Sequence, residues 1–284
     1  MIDANTDLTW WNLIPQHLDP VLVHIGSFPV HWYGLMYLAA FFTCYQVIWK
    51  TVTREGYKVT KEQLDDITAW IIAGVLIGAR LGYVLFYNLP YYMDHPTEAI
   101  LPFSTEGGFH FTGISGMSYH GGLIGAIITT SWFLRKNKLN YWQWINMIVS
   151  AVPLGYTWGR LGNFINGELY GRATTASIGM LFPMDHTHTL RHPSQLYELT
   201  FEGIVLFFVL QWFYRKEFFK NHMLSLYLIG YGTARFFIEF FREPDVQIGL
   251  NEAGLSRGQI LCMIMIAAGT TLWIVRAKMA KAKA

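Results

Sequence analysis

Charge is the scarcest ingredient of this sequence. Asp, Glu, Lys and Arg make up 14% of its 284 residues, against roughly 25% in an ordinary soluble domain. With 52% hydrophobic and 17% aromatic residues, that shortage excludes a typical water-soluble domain and points to a chain embedded in a membrane. A charge excess is missing too. The net charge of +2 leaves no electrostatic footprint for nucleic acid, and the basic residues sit in short stretches, not along one face. The two cysteines, Cys44 and Cys262, lie far apart inside apolar runs, which excludes a disulfide framework or a Cys-x-x-Cys metal or redox site. They read as packing residues. Residues 1–31 contain no Lys or Arg, so the start lacks the basic region of a secretory signal peptide, and the first hydrophobic span is expected to stay in the mature protein. Internal repeats, heptads and long soluble linkers are absent, which leaves residues 1–284 as a single polytopic membrane domain.

What is present is a series of apolar windows of spanning length. They predict an all-α membrane protein with about seven transmembrane helices, at Trp32 to Trp49, Ile67 to Tyr87, Tyr119 to Leu134, Tyr141 to Phe164, Leu196 to Tyr214, Met223 to Phe241 and Gln259 to Val275. Basic residues cluster after the first span (Lys50, Arg54, Lys58, Lys61), the third (Arg135, Lys136, Lys138), the fifth (Arg215, Lys216, Lys220) and the last (Arg276, Lys278, Lys281, Lys283). Short cytoplasmic loops keep such an excess. The amino terminus is therefore expected outside and the carboxyl terminus in the cytoplasm. The outer connections 88–118 and 166–195, rich in Gly, Pro, Thr and aromatics, are read as a small non-cytoplasmic cap.

Arg80, Arg160 and Arg235 lie inside or at the edge of apolar runs. A mid-membrane arginine costs at least about 2.5 kcal/mol and needs an anion, a wet cavity or a route to the interface. Tyr231, Arg235, Glu239 and Arg242 are spaced four, four and three, which puts them on one face of the sixth span. An Arg235 to Glu239 pair that only neutralises itself is the bland alternative, though it accounts for one arginine and not three. Glu198 and Glu202, four apart, repel each other at that spacing; cations on neighbouring helices or protonation of one of them must hold them. A structural interhelical pair and a supporting role in a site both fit. Gly74, Gly78 and Gly82, with Gly121 and Gly125, read as close helix packing, and Arg80 among them as a packing or interface residue. Asp185, His186, His188 and His192 read as a structural loop, since no strong ligand template is present. No metal or cofactor is expected.

From Gly159 to Arg172 the chain reads Gly-Arg-Leu-Gly-Asn-Phe-Ile-Asn-Gly-Glu-Leu-Tyr-Gly-Arg. This segment resembles the signature of the prolipoprotein diacylglyceryl transferase family. The likeness continues in Trp32-Tyr33-Gly34, Gly78 to Tyr83, Met117 to Gly122, Arg191 to Glu198, Arg235 through Glu239 to Arg242 and Pro244, and Ser256 to Gln259. It implies a bacterial inner-membrane enzyme that moves the diacylglyceryl group of phosphatidylglycerol onto the lipobox cysteine of a prolipoprotein signal peptide, releasing glycerol phosphate. By the same resemblance Arg160 and Arg235 are expected to be the essential headgroup residues. Tyr33, His120, Asn163, Glu168, Gly171 and Glu239 should lie around them.

The residue types suit that chemistry. A phosphodiester with one negative charge becomes a monoester gaining a second, and arginine binds two phosphate oxygens at once while staying charged when poorly hydrated. Asn163 and Asn166 are further donors, and Glu168 is a candidate to orient an arginine. Gly162 and Gly167 would let backbone approach the headgroup. His120, a residue type whose free pKa lies near neutrality, is the candidate general base for the substrate thiol; fixing the lipid is its other reading, since arginine potential can lower a thiol pKa unaided. Taken without the resemblance, the polar spans also fit a transporter or a receptor.

The loop charges yield a topology test. Reporters at Lys58, Lys138, Arg215 and the carboxyl terminus should read cytoplasmic, and those near Pro96 and His186 outside. A cytoplasmic reading near His186 would put the signature segment on the wrong face.

Overall fold

The computed structural model describes residues 8–26, 28–99, 103–104, 110–111, 116–243 and 254–281. Pro244 and Lys283, noted above, and parts of the 88–118 connection lie outside the described residues. The long helices are α1 (Trp32–Glu55), α2 (Lys61–Tyr87), α3 (Tyr119–Lys136), α4 (Tyr141–Ile165), α5 (Ser194–Tyr214), α6 (Met223–Ile238) and α7 (Arg257–Lys281). Each overlaps one apolar window, and the ends differ for local reasons. At the start of α2, Thr60 Oγ1 accepts from the Gln63 amide at 3.2 Å while Gln63 Oε1 accepts from the Thr60 amide at 3.1 Å. This reciprocal cap starts the helix among charged residues that a hydropathy window passes over. α1 runs on to Glu55 and stops at Gly56, whose φ of +65° ends a helix without strain.

By length and composition, four helices among the described residues are apolar enough to cross a membrane: α1, α2, α5 and α7. α6 is apolar but shorter. α4 has the length, but it carries Asn146, Ser150, Pro153, Arg160 and Asn163, and α3 includes His120, Ser131 and the basic pair Arg135 and Lys136. The chain is a helical membrane protein.

Two compact units form, one from Met1–Thr51 with Ile145–Ala284 and the other Val52–Trp144. In the second, α2 and α3 meet along their glycines. A Cβ added to Gly78 would collide with the Gly121 carbonyl and stand 2.8 Å from Gly125 Cα, and one on Gly82 would stand 2.7 Å from Gly121 Cα. Backbones this close gain dispersion contacts that larger side chains would forbid. Arg80 is no mere packing residue. Its Nε donates to the Ala99 carbonyl at 2.9 Å and its Nη2 to the Glu98 carbonyl, and its guanidinium lies over the Tyr92 ring. It ties down the connection that follows α2.

In the first unit, a short antiparallel hairpin (Val21–Ile25 with Phe28–His31) leads into α1. The 166–193 connection folds back over its own core of Phe164, Met180 and Phe182, against which Trp11, Ile14, Leu18, Tyr170 and Leu196 pack. Asn12 Nδ2 donates to the Gly179 carbonyl at 2.7 Å, fastening the early segment to that connection. α5 is not uniform: Leu199–Val205 is a π-helical stretch. There α5 comes so near α4 that a Cβ on Gly203 would strike the Thr157 side chain.

Gly78→Ala should destabilise the protein by about 1–3 kcal/mol through overpacking, seen as a lower melting transition of detergent-solubilised protein at matched load. Gly34→Ala, where an added Cβ meets nothing within 4 Å, should lose no stability. Equal melting for both variants would contradict glycine-enforced contact between α2 and α3.

Candidate active site

Glu198 ends the first turns of α5 and is completely buried. A carboxylate there has lost its hydration and must recover it from the protein. It does so from partners on two helices and on the turn that follows one of them. Arg160 Nε of α4 lies 2.6 Å from Oε2, Arg235 Nη1 of α6 3.2 Å from Oε1, and Arg242 Nη1, just beyond α6, 2.8 Å from Oε1. The Tyr156 hydroxyl lies 3.0 Å from Oε2. Tyr156 and Arg160 sit one turn apart on α4; the hydroxyl accepts from Arg160 Nε at 2.7 Å while the guanidinium stacks over the ring. Glu202, also sealed from solvent, lies inside the π-helical stretch and meets the same hydroxyl at 2.5 Å. Such stretches recur at functional sites because the wider turn resets side-chain register.

The third carboxylate is Glu239, at the carboxyl-terminal cap position of α6. It stands 2.8 Å from Arg235 Nη2 and 3.6 Å from Arg242 Nε, and accepts from the Ser256 hydroxyl at 3.0 Å. Gly258, at the start of α7, has no side chain because one would collide with the Glu239 carboxylate. A third chain runs off Arg160. Its Nη1 donates to Asn163 Oδ1 at 3.3 Å, Asn163 Nδ2 donates to Glu168 Oε1 at 2.9 Å, and Asn166 Nδ2 donates to the same oxygen at 3.1 Å.

The two kinds of charge are unequally exposed. Glu198 and Glu202 are at 0%, while the side chains of Arg160, Arg235 and Arg242 keep 17%, 15% and 18% of their surface. Both carboxylates are sealed while part of each arginine side chain reaches the surface, although Arg235 Nη1 itself is buried. Arg160 Nη2 makes no hydrogen bond among the described residues.

The model of the family described as prolipoprotein diacylglyceryl transferase matches residues 20–275. This chain belongs to that family. Among its relatives, the phosphatidylglycerol–prolipoprotein diacylglyceryl transferase of Chlorobaculum tepidum is 48% identical over 270 residues, covering 95% of this chain and 92% of that protein. Proteins of the same name from Campylobacter hominis and Bordetella avium are 44% and 43% identical, each covering more than nine-tenths of both chains.

In this diacylglyceryl transferase family member, the structure brings together most of the sequence-read candidates: Arg160, Arg235, Arg242, Glu198, Glu202, Glu239, Asn163, Asn166 and Glu168. Tyr231 stands edge-on to Tyr156 with ring centroids 5.8 Å apart. Tyr33 joins through Gly162, where an added Cβ would stand 2.8 Å from its ring. Gly171 bridges to Arg242, and an added Cβ would collide with the Phe241 carbonyl. Glu168, the candidate to orient an arginine, holds Asn163 and Asn166 and so reaches Arg160 through Asn163. Two readings change. α6 ends at Ile238, so Glu239 and Arg242 project from its cap and following turn and not from a continuous helix face. Gly162 is explained by the ring of Tyr33, and Gly167, with φ +69°, by the turn after α4. His120 lies in the other unit, exposed at the start of α3. Missed entirely was Tyr156. The signal was present, since it stands four residues before Arg160, yet a tyrosine in an aromatic-rich span carries no distinguishing mark. Ser256 was noted only for the family likeness.

The loop around Asp185 is held by charge. Asp185 accepts from Arg191 Nε at 2.7 Å and from the Thr187 hydroxyl at 2.7 Å. Burial opposes its ionised form, but the hydrogen bonds from Arg191 and Thr187 outweigh that and hold the carboxyl well below the usual carboxylate range. A depressed folded pKa stabilises the fold above the unfolded value, about 3.9 for aspartate, and that contribution is lost as pH falls through the folded value. Hydrogen-exchange protection of residues 172–192 should therefore fall on acidification of the wild type. In Asp185→Asn it should be lower at neutral pH and less dependent on acid; identical profiles would contradict the ion pair's role.

Proposed function

We propose that this chain moves the diacylglyceryl group of phosphatidylglycerol onto the lipobox cysteine thiol of a prolipoprotein, the first step of lipoprotein maturation, with release of glycerol phosphate. The family and the names of relatives support the reaction and its two substrates. One geometric observation carries the assignment of the site: sealed carboxylates fix three arginines whose side chains keep part of their surface. The chain is read as a bacterial inner-membrane protein of one polytopic domain and seven spans. Its amino terminus is outside and its carboxyl terminus cytoplasmic, with connections 88–118 and 166–195 as an outer cap. Loop charge asymmetry supports that orientation.

In this reading the thiolate attacks a glycerol carbon of the lipid, the S–C bond forms, and the C–O bond to the phosphate breaks with its electron pair going to the phosphate oxygen. Negative charge on the phosphate grows as that bond breaks. Arg160 and Arg235 meet the growing charge with donors already in place, and an interaction that strengthens toward the transition state lowers the barrier. Glu198 supplies the fixed negative reference that orients them. Asn163, steadied by Glu168 and Asn166, holds Arg160 from the other side, and Tyr33 and Gly171 shape the surroundings of the headgroup. Glu239, itself paired with Arg242, holds Arg235, with Tyr231 packed beside Tyr156. His120 takes the thiol proton, on the strength of its residue type and its exposure at the start of α3.

Lysine keeps the charge but loses the planar fork. Arg160→Lys and Arg235→Lys should fold yet transfer poorly, at a cost of about 2–4 kcal/mol in the barrier, roughly 30-fold to 1000-fold in rate. The assay is turnover with phosphatidylglycerol and a lipobox peptide at matched membrane abundance. Near-normal turnover in both variants would overturn the headgroup-fork mechanism. His120→Gln should lower turnover in the same assay with lipid binding intact; loss of binding in proportion would remove the base assignment.

A further inference from the structure

The Tyr156 hydroxyl has three close neighbours and one proton. It accepts from Arg160 Nε at 2.7 Å, and carboxylate oxygens of Glu198 and Glu202 approach it at 3.0 and 2.5 Å. A phenol donates once and accepts through its lone pairs, so it satisfies one carboxylate only. The other must bring its own proton. Glu198 is matched by three arginines, whereas Glu202 is not: its Oε1 is buried without a hydrogen-bond partner, and Arg235 Nη1 stands 3.8 Å away. An ionised carboxylate in that position would be sealed from water with one oxygen uncompensated, a costly state that a proton removes.

We propose that Glu202 is held as the neutral acid and acts as a positioning residue: its O–H donates to the Tyr156 oxygen, Tyr156 donates to Glu198, and this relay fixes Arg160. The groups facing Glu202 are Tyr156 and Arg160 from α4, Arg235 from α6, Cys262 from α7, and Glu198 on its own helix, itself held by Arg242; Tyr231 of α6 stands edge-on to Tyr156. The proton sets the charge of the whole cluster. Within the ion-paired set, Arg160, Arg235 and Arg242 carry three positive charges against the two of Glu198 and Glu239, so a neutral Glu202 leaves one positive charge in excess and an ionised one leaves none; Glu168 lies outside that set, joined to Arg160 only through Asn163. One excess charge matches a singly charged phosphodiester. That consequence rests on the headgroup reading above, while the protonation does not.

Wild type, Glu202→Gln and Tyr156→Phe, each purified into nanodiscs, separate the two. In infrared difference spectra, the wild type is expected to show a protonated carboxylic acid C=O band that Glu202→Gln lacks. A difference carrying ionised-carboxylate bands instead would overturn the proposal, whatever lipid does. With short-chain phosphatidylglycerol as the probe, wild-type affinity should weaken as pH rises and Glu202 ionises. Glu202→Gln, a neutral donor of like shape, should bind close to wild type at neutral pH with the alkaline loss flattened. Tyr156→Phe should bind about tenfold weaker or worse. An unchanged alkaline loss in Glu202→Gln, or wild-type binding in Tyr156→Phe, would overturn the relay. Failure of the wild type to bind phosphatidylglycerol at all would instead count against the headgroup reading and leave the infrared result to decide the protonation.

Discussion

Everything at this site hangs on the burial of one carboxylate. Glu198 has no contact with solvent, and three arginines from α4, α6 and the turn after α6 replace its lost hydration. The dependence runs both ways. Removing one partner of a buried ion pair costs about 3–5 kcal/mol because the other is left uncompensated. The arginines could not be retained in an apolar bundle without the carboxylates, and Glu198 could not be sealed without the arginines. Local features of the backbone serve that constraint. The π-helical stretch and Gly203 bring α5 against α4 at the level of Tyr156 and Arg160, and the bridge from Gly171 to Arg242 pins the signature segment to the turn that carries the third arginine.

Such a cluster is poor as pure scaffold, since an apolar replacement of similar volume is often at least as stable. Its advantage is preorganisation. Donors aimed before the reaction need no reorganisation as charge develops, and their effect is largest where water is scarce. The same geometry explains why Glu168 lies a residue away from the arginines: acting through Asn163, it fixes the orientation of Arg160 without neutralising it. Arg80 shows the opposite use of the same side chain. Its Nε and Nη2 donate to backbone carbonyls of the connection after α2, so it organises that loop.

Helix positions were legible because apolar length is a strong signal, and the helices begin and end near the windows drawn from it. The ends were less legible where a polar device sets them, as Thr60 does for α2, and where a helix stops inside its apolar window, as α6 does after Ile238. Arg160 and Arg235, like Arg80, stood out because charge is conspicuous in an apolar run, and Arg242 entered through its spacing from Arg235 and Glu239. The four-residue spacing of Glu198 and Glu202 called for a cation or a proton, and arginines stand beside Glu198. Tyr156 could not be distinguished, because its importance lies in which helix faces it, and spacing along one helix does not encode that. The glycine ladder of α2 and α3 was readable as packing, whereas Gly162 and Gly171 take their meaning from the side chains and carbonyls that approach them across the fold.

The central claim is that arrangement, and not positive potential alone, makes the arginines a phosphate site. Glu198→Gln separates the two, because it raises the net positive charge of the cluster while removing the group that orients it. The decisive measurement is the affinity of this variant for phosphatidylglycerol in nanodiscs, with its melting transition recorded alongside. Weaker binding by about tenfold or more, in a protein that still shows a cooperative transition, is the result the account predicts. Tighter binding with wild-type turnover would contradict it.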